Sequence, residues 1–470
     1  MKPLLLAPLL ACVLAAGPAA AADLVEAFNL ARESDPQLSA AENRYLAETQ
    51  NIVQARANLL PQVSGAGNFT EGDRDQTASQ IISIDPPLIS TSVTSIETFN
   101  RNWTVSLRQS IYDHSNYTRL RASRSRAERS EAEYVAARNN LMVRVADAYF
   151  QVLTTIETLA ATRAEERSLK RQLEQAEMRL EVGLAPITDA HDARARHDSA
   201  RANTIVAQNA YEDALEALAE VTGRPLAGLR GLGEDFRPRL PETEGMENWV
   251  TLALDNNPTL RARLLDVRAT DYDIATARAG HYPTISATAD YSDTGNTVDI
   301  VQIGRGPLPR SSTTTDGYTI GLRLDVPIFT GFATQSRVRQ AVSLRSAAED
   351  QAEQQRRAVT RQARNDYRAL LAGIAEVEAR RLAVVSAQSA QEATQAGFEV
   401  GTRTIVDVLI AEQQLFEAQR QYATSRNAFQ VDTLRLKETA GVIAAEDVIA
   451  INNLLVADAE SLLDTRDEED

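Results

Sequence analysis

The chain contains an internal repeat that spans most of its length. Ala55–Pro61 (ARANLLP) recurs 222 positions later as Ala277–Pro283 (ARAGHYP). Val182–Asp189 (VGLAPITD) recurs 218 positions later as Val400–Asp407 (VGTRTIVD). The small change in offset falls between these segments, where loops vary in length at little cost in free energy. Such a repeat predicts one structural unit that the chain builds twice.

Each copy of the repeat predicts a helical hairpin with a tight tip. A long helix ends at Val-Gly in both copies, and glycine suits the left-handed position that follows a helix. Pro186, Thr188 and Thr404 then suit the start of the next helix. The helices that lead to the tips, over about 116–182 and 333–400, would each be about 100 Å long.

After Pro61 and Pro283 the apolar residues change from helical spacing to alternation. Apolar and polar residues alternate over segments of about ten residues, and we expect two such strands in each half of the chain. Gly72–Thr98 and Asp293–Asp316 are rich in Ser, Thr and Gly, which predicts exposed loops, although Ile81–Ile84 suggests that part of the first extends a hairpin. One apolar face contains Trp103, Val105, Leu107, Leu322 and Leu324, and these residues are predicted to face lipid if the strands span a membrane.

The alternating strands have two interpretations. Alternation of this kind is typical of transmembrane barrel strands, and also of a soluble sheet with one buried face. Four strands cannot close a membrane barrel, since about eight are needed, and lipid does not tolerate unpaired strand edges. If the strands span a membrane, the protein therefore has to oligomerise, and three chains would supply twelve strands.

Residues 1–22 have the pattern of a secretory signal. Lys2 precedes an apolar run over Leu4–Ala16, and Ala20–Ala22 forms an A-x-A cleavage site. A membrane anchor is the less favoured interpretation, because the apolar run is short. The only cysteine, Cys12, lies in this segment, in a poor match to a lipoprotein box.

Composition narrows the possible partners and folds. The formal net charge of −16 argues against nucleic acid or an acidic membrane surface as the main partner. Beyond the signal, no apolar run is long enough for a membrane-spanning helix. Aromatic residues make up only 5% of the chain, so we expect long helices packed through small residues rather than one large globular core.

These features divide the chain into five segments. They are a signal peptide at 1–22, a first structural repeat at 23–224 with a helix, two strands and a long helical hairpin, a linker at 225–245, a second repeat at 246–441, and a C-terminal segment at 442–470 that ends in the acidic tail Thr465–Asp470.

The repeat, the strands and the tips together resemble the TolC family of outer-membrane export channels. The resemblance covers nearly the whole chain after the signal and is strongest at Gly401–Leu409 (GTRTIVDVL), Val182–Leu184 and Ile187–Asp189. It implies a fold that mixes an α-helical barrel with a transmembrane β-barrel. Three chains would form a twelve-stranded barrel in the outer membrane, continuous with a twelve-helix coiled-coil α-barrel in the periplasm.

The resemblance also implies a function and partners. The protein would be the passive exit duct of a tripartite system for type I protein secretion or drug efflux. Its partners would be two further copies of itself in a homotrimer, outer-membrane lipid, a periplasmic adaptor protein, and an inner-membrane ABC or proton-driven transporter. The sequence does not decide between small molecules and a secreted protein as cargo.

A gate that closes the periplasmic end is implied at the tips. Arg403 resembles an arginine that holds the inner hairpin to the outer one, and Thr188 and Asp189 resemble its partners. Gln172 and Arg426 match a second linkage farther from the tips. These residues form the latch that the resemblance predicts.

The resemblance further implies a pore constriction and a docking surface. Asp407 resembles an aspartate that lines the constriction, and Ile410 stands where a second pore aspartate is expected. Phe398 replaces a tyrosine that would bond the tip aspartate, so we expect that bond to be missing. The residues expected to contact the adaptor are Val182, Gly183, Leu184, Val400, Gly401 and Thr402.

The sequence contains no pattern that indicates enzymatic chemistry. The four histidines are scattered, and there is no nucleophile-elbow, zinc-protease or phosphate-loop motif. We therefore expect no catalytic site, no cofactor and no metal site. The main alternative to a channel is a periplasmic or surface coiled-coil protein without a pore, such as an adaptor or an adhesin stalk.

Overall fold

A computed structural model of the protein describes residues 23–84, 87–233, 236–241, 245–302 and 306–463. The predicted signal at 1–22, with Cys12, and the predicted tail Thr465–Asp470 lie outside these residues. The chain divides into two compact units. A helical unit contains the described residues of Met1–Arg44, Glu131–Ala262 and Glu353–Asp470, and a strand unit contains those of Tyr45–Ser130 and Arg263–Ala352.

In each half of the chain, two helices, a strand hairpin and two long helices follow one another. The first half comprises α1 (Leu24–Ser34), α2 (Pro36–Ala57), β1 (Gln62–Ile84), β2 (Pro87–Tyr112), α3 (His114–Glu181), α4 (Ile187–Thr222) and the short β3 (Arg230–Leu232). The second half comprises α5 (Met246–Asn256), α6 (Pro258–Ala279), β4 (Thr284–Gln302), the short β5 (Gly306–Pro307), β6 (Ser311–Asp325), α7 (Ala333–Glu399), α8 (Ile405–Thr439), α9 (Ala445–Asn452), β7 (Leu455–Asp458) and a 3₁₀ turn (Glu460–Leu462). In the part of the chain that the structure describes, no helix has an apolar stretch that could cross a membrane.

The first helical segment of each half breaks at an Asx-Pro pair, because the residue before a proline disfavours the helical conformation. In the first half, the carboxylate of Asp35 accepts the N–H of Leu38 at 2.8 Å and pairs with Arg144 at 2.6 Å. Burial raises the pKa of Asp35, but the bonds from Arg144 and Leu38 outweigh burial, so the pKa lies below its ordinary value. In the second half, Asn257 accepts the N–H of Leu260 at 2.9 Å and caps α6 in the same way.

The largest apolar core of the helical unit lies where α1, α3, α4 and α9 meet. Leu24, Tyr149, Leu153 and Leu218 are fully buried in it. The hydroxyl of Tyr149 donates to the carbonyl of Arg230 at 2.8 Å and accepts its N–H at 3.0 Å, and burial raises the pKa of this tyrosine. These bonds attach α3 to β3, which pairs with β7. The predicted linker 225–245 and the C-terminal segment 442–470 thus each supply one strand beside this core.

The strand unit contains an antiparallel sheet whose long strands run in the order β1-β2-β4-β6, with β5 also beside β4. β1 pairs with β2 from Gln62 opposite Arg108 onward, and β4 pairs with β6 from Thr284 opposite Asp325 onward. In the described residues, the outer edges of β1 and β6 have no partner strand.

The strands are longer than the sequence predicted. Pairing of β1 with β2 continues outward to Ile81 opposite Ile89, and most of the second predicted loop also belongs to strands. The prediction of loops over Gly72–Thr98 and Asp293–Asp316 was therefore wrong. Both faces of these outer segments carry polar residues, so the alternation that indicates a strand is missing. The backbone ladder nonetheless forms, and threonine favours it.

One face of the sheet is apolar near the base of the strands. Leu107 lies opposite Ala289, which lies opposite Ile320, and Val105 lies opposite Tyr291. Directly opposed residues point to the same face. The five residues predicted to face lipid therefore share one face, and all five are exposed in the chain.

Candidate functional site

The candidate site consists of the tips of two hairpins, α3–α4 and α7–α8. Gly183 follows α3 with φ 76°, and Gly401 follows α7 with φ 79°. At the first tip the N–H of Leu184 donates to the carbonyl of Arg179 at 2.7 Å, and the N–H of Thr402 closes the second tip in the same way at 2.8 Å. This is a Schellman closure, in which glycine tolerates the left-handed conformation that other residues resist. The predicted tips are confirmed as turns of one geometry.

The two helices that leave the tips begin differently. Thr404 precedes α8 and forms a capping box with Asp407, because each side chain accepts the backbone N–H of the other, at 3.3 and 2.9 Å. The bond from the Thr404 N–H is the main reason that the pKa of Asp407 lies below its usual range. Pro186 precedes α4 and provides no side-chain bond. Asp407 is therefore held in a defined orientation at the start of α8.

The outermost side chains of the tips are apolar and exposed. Val182, Leu184 and Val400 are 63%, 72% and 76% exposed. A Cβ added at Gly183 or Gly401 would meet no atom within 4 Å, so the backbone is open there. Apolar side chains that cluster at a surface are typical of an interaction site. These five residues are among those predicted to contact the adaptor.

A cavity of about 60 Å³ separates the two tips, and Asp189, Phe398 and Ile405 contribute to its walls. Arg179 also lines it, with its guanidinium carbon 5.1 Å from the centre of the Phe398 ring. A cation over an aromatic face is attracted by the negative charge of the ring face. The sequence predicted that Phe398 lacks the bond that a tyrosine hydroxyl would form. Phe398 instead joins α7 to α3 through its contact with Arg179.

The structure does not bring the predicted latch residues together within one chain. Arg403 is exposed, and its aliphatic stem passes so close to Gly397 that a Cβ there would lie 2.8 Å from the Arg403 Cγ. The hydroxyl of Thr188 lies 3.5 Å from a carboxylate oxygen of Asp189. Across the described ranges, no hydrogen bond or ion pair joins Arg403 to either Thr188 or Asp189.

A row of buried and half-buried polar side chains, here called the α3–α8 seam, joins the first hairpin to the second. From the tips outward, its links are Ser168 to Glu412 at 2.8 Å, Glu165 to Arg420 at 2.9 Å, Glu157 to Arg426 at 3.0 Å and Thr154 to Asn427 at 3.1 Å. Burial raises the pKa of Glu412 and of Glu157 despite these bonds. The sequence did not reveal the seam, because charged residues on a long helix usually face solvent.

Two residues of the predicted latch belong to this seam but have different partners. Arg426 donates to Glu157 and, at 3.4 Å, to the carbonyl of Gly233. Gln172 is buried near Glu412, and its side chain opposes the rise that burial causes in the pKa of Glu412. Among the residues that the structure describes, no bond joins Gln172 to Arg426. Gln172 lies near Glu412 and Arg426 pairs with Glu157, so the two residues occupy separate positions along the seam.

The predicted constriction residues lie near the start of α8. Asp407 is half-buried at the capping box, and Ile410, one turn later, is 40% exposed. In the described part of the chain, no group of His, Cys, Asp or Glu side chains is placed to hold a metal ion.

Comparison with known proteins decides the family. The model of the family described as outer membrane efflux protein matches residues 27–224 and 249–442. The chain belongs to this family. The outer membrane protein TolC of Vibrio cholerae is 32% identical over 92% of this chain and 93% of its own length. The alkaline protease secretion protein AprF of Pseudomonas aeruginosa is 28% identical over 90% of this chain and 85% of its own.

The fold also matches solved structures of outer-membrane channels. The CmeC outer membrane channel of Campylobacter jejuni superposes with a TM-score of 0.70 at 16% identity, covering 92% of this chain and 90% of that one. The resemblance to the TolC family is confirmed, and the protein is an outer-membrane efflux channel. The alternative of an adaptor or adhesin stalk without a pore does not fit this family.

Proposed function

We propose that the protein works as a homotrimer whose strand units form one twelve-stranded barrel. The open edges of β1 and β6 carry this proposal, because lipid does not tolerate unpaired strand edges. Joining β6 of each chain to β1 of the next would remove every open edge and give an even strand number. The same symmetry would bring α3, α4, α7 and α8 of three chains into a twelve-helix α-barrel that crosses the periplasm.

The apolar face of the sheet supports contact with outer-membrane lipid. Trp103 and Tyr291 lie at the border of this face, with ring centres 5.3 Å apart, and Tyr318 lies opposite Tyr291. Next to them, Trp103 lies opposite Asp293, which lies opposite Asp316, so acidic residues begin at this level. An aromatic girdle between an apolar band and a polar region is typical of membrane barrels.

The exposed tips support docking of a periplasmic adaptor. Val182, Leu184 and Val400 would lose their exposure in that contact, beside the open backbone of Gly183 and Gly401. The adaptor would connect the duct to an inner-membrane ABC or proton-driven transporter. One relative is named for alkaline protease secretion. For this chain we propose a passive conduit whose transporter selects either a secreted protein or small molecules.

The tips would also form the gate. In a trimer, three copies of Asp407 would converge on the axis, and Ile410 would add an apolar collar beside them. Because Arg403 has no bond to Thr188 or Asp189 within one chain, we assign the latch to contacts between neighbouring chains. We assign Gln172 and Arg426 to a second set of contacts, at two separate positions along the α3–α8 seam, that would change as the seam opens.

Disulfide cross-linking tests the trimer, since the only cysteine is Cys12 in the predicted signal. Ser64→Cys on β1 should be combined in turn with Thr319→Cys, Gly321→Cys and Arg323→Cys on β6. At least one pair should give a covalent trimer on a denaturing gel after oxidation. Ser64→Cys with Ser106→Cys is the control, because these residues are paired within the chain.

Two results together would overturn the trimeric barrel. They are that no cysteine pair in the panel gives more interchain product than the control, and that the protein purifies as a soluble monomer.

A further inference from the structure

A second concave site lies in the helical unit, between α8, α9 and residues 236–239. It encloses about 450 Å³, which is within the range of small-molecule binding sites. It contains none of the tip residues. Nothing in the proposed export mechanism requires a pocket at this place.

One part of the pocket wall is apolar. Phe236 and Phe429 contribute aromatic rings whose centres are 6.2 Å apart, and Leu434, Ile451 and Leu454 add aliphatic side chains. A surface of this composition favours an apolar tail, because burial removes both partners from water. The aromatic and aliphatic residues come from three separate segments, so the tertiary fold creates this wall.

The pocket also has a positively charged rim. Arg237, Arg239 and Lys437 line it, and among the described lining residues the one acidic side chain, Asp447, is paired with Lys437. Neither Arg237 nor Arg239 forms an ion pair with any other described residue, and Glu378, with which Arg237 interacts electrostatically, is itself paired with Arg381. The chain as a whole carries a net charge of −16, so this local excess of positive charge is not a result of composition. It favours an anionic group.

A buried hydrogen-bond donor completes the site. Gln430 lines the pocket and is only 3% exposed, yet its Nε2 has no hydrogen-bond partner among the described residues. Buried polar atoms in native proteins are nearly always bonded, to protein, to water or to a ligand. An acceptor oxygen on a bound molecule would supply the missing partner.

We propose that this pocket binds an amphipathic anion with a single apolar tail, of the fatty-acid class. The tail would lie against Phe236, Phe429 and Leu434, and the oxygens of the head group would accept hydrogen bonds from Gln430 and the two arginines. Bound there, such a molecule would link α8 to α9 and to residues 236–239. The proposal does not depend on the trimer or on the gate.

Photo-cross-linking tests this assignment with the full-length protein in a neutral detergent. The probe is dodecanoate that carries a diazirine in its tail, and the labelled residues are located by mass spectrometry. We expect labelling within 429–454 that an excess of laurate suppresses. Dodecanol, which has the tail without the charge, should compete at least tenfold less well.

Three variants separate the pocket from non-specific labelling. Ala450→Trp fills the pocket from an exposed lining position, and Arg237→Gln with Arg239→Gln removes the positive charges of the two rim arginines. Each should lower labelling at least tenfold, whereas Arg201→Gln, an exposed arginine on α4, should leave it unchanged. The double arginine variant keeps the test decisive if the tryptophan variant does not fold.

Labelling of the wild type no higher than that of these variants would overturn the proposal, as would equal competition by dodecanol. Stronger competition by dihexanoylphosphatidylglycerol than by laurate would overturn the assignment of a single tail.

Discussion

The hydroxyl of Ser168 on α3 donates a 2.8 Å hydrogen bond to the buried carboxylate of Glu412 on α8. This bond ties the first hairpin to the second close to the tips. The other carboxylate oxygen of Glu412 has no partner among the described residues. Burial and the nearby Glu165 raise the pKa of Glu412, although Ser168, Gln172 and Arg171 act in the opposite direction. The α3–α8 seam thus contains a carboxyl group whose charged form is disfavoured.

Stability should therefore depend on the protonation of Glu412. An acid whose pKa rises on folding destabilises the folded state at pH above the folded pKa, and this effect disappears below the unfolded pKa of about 4.3. Glu412→Gln should raise the thermal midpoint near pH 8 and have little effect near pH 4, as followed by circular dichroism at 222 nm.

Glu417 provides the matched control, because bonds from Arg420 and Gln421 outweigh burial and lower its pKa. Glu417→Gln should therefore change the thermal midpoint in the opposite direction and lower it near pH 8. A Glu412→Gln effect that is the same at both pH values would contradict the titration of this group.

The apolar face of the sheet should tolerate charge poorly. Leu322 shares this face with Ala287, whereas Thr319 points to the opposite, polar face beside Asp290. An arginine on the lipid side near mid-depth costs about 2–4 kcal/mol. Leu322→Arg should therefore lower the yield of folded oligomer in the outer membrane, and Thr319→Arg should not. Equal yields would show that Leu322 does not face lipid.

The tip glycines should matter for docking more than for folding. Gly401 and Gly331 both have positive φ, and at both a Cβ would meet no atom within 4 Å. Tryptophan at either site therefore adds a similar backbone strain of about 1–2 kcal/mol. Gly401→Trp should abolish export and leave assembly intact, while Gly331→Trp should leave both intact. Normal export by Gly401→Trp would exclude this tip as the adaptor contact.

Arg403 should hold the tips closed. Its side chain is exposed, and within its own chain it forms no bond with Thr188 or Asp189, the proposed latch partners. Charge-assisted bonds to Thr188 and Asp189 of a neighbour would be lost in Arg403→Ser. Single-channel conductance in planar bilayers should then rise several-fold, and Arg201→Ser, an exposed arginine on α4, should leave it unchanged. Conductance equal to that of the wild type would remove Arg403 from the gate.

Asp407 should select cations at the constriction. Rings of acidic side chains attract cations, so a trivalent cation should block the wild-type pore. Asp407→Asn removes the charge but keeps an oxygen that can accept the Thr404 N–H. It should weaken the block at least tenfold, and Ile410→Asp should strengthen it.

Thr404→Ala is the control for this experiment, since it removes the threonine cap at a cost of about 1 kcal/mol and retains the carboxylate. Its block should resemble that of the wild type. Unchanged block in Asp407→Asn would place Asp407 outside the constriction.

Much of the fold was determined by the sequence alone, because the features concerned depend on neighbouring residues. The ends of α3 and α7, the glycines at the tips, and the shared face of Trp103, Val105 and Leu107 follow from local periodicity and turn preferences. The same rule explains the failure over Gly72–Thr98. Polar residues on both faces leave no periodic signal, and the pairing partner alone decides that these residues form strands.

The candidate site was determined only in part by sequence. The tips and their exposed apolar residues were predicted, but the bonding partners of Arg426 and Gln172 were not. Ser168 and Glu412 are 244 positions apart, and no local pattern indicates that they meet. Whether a charged residue on a long helix is solvated or buried depends on which helix packs against it. Only the tertiary structure decides this, because packing removes water from one side of the helix and leaves the other side hydrated.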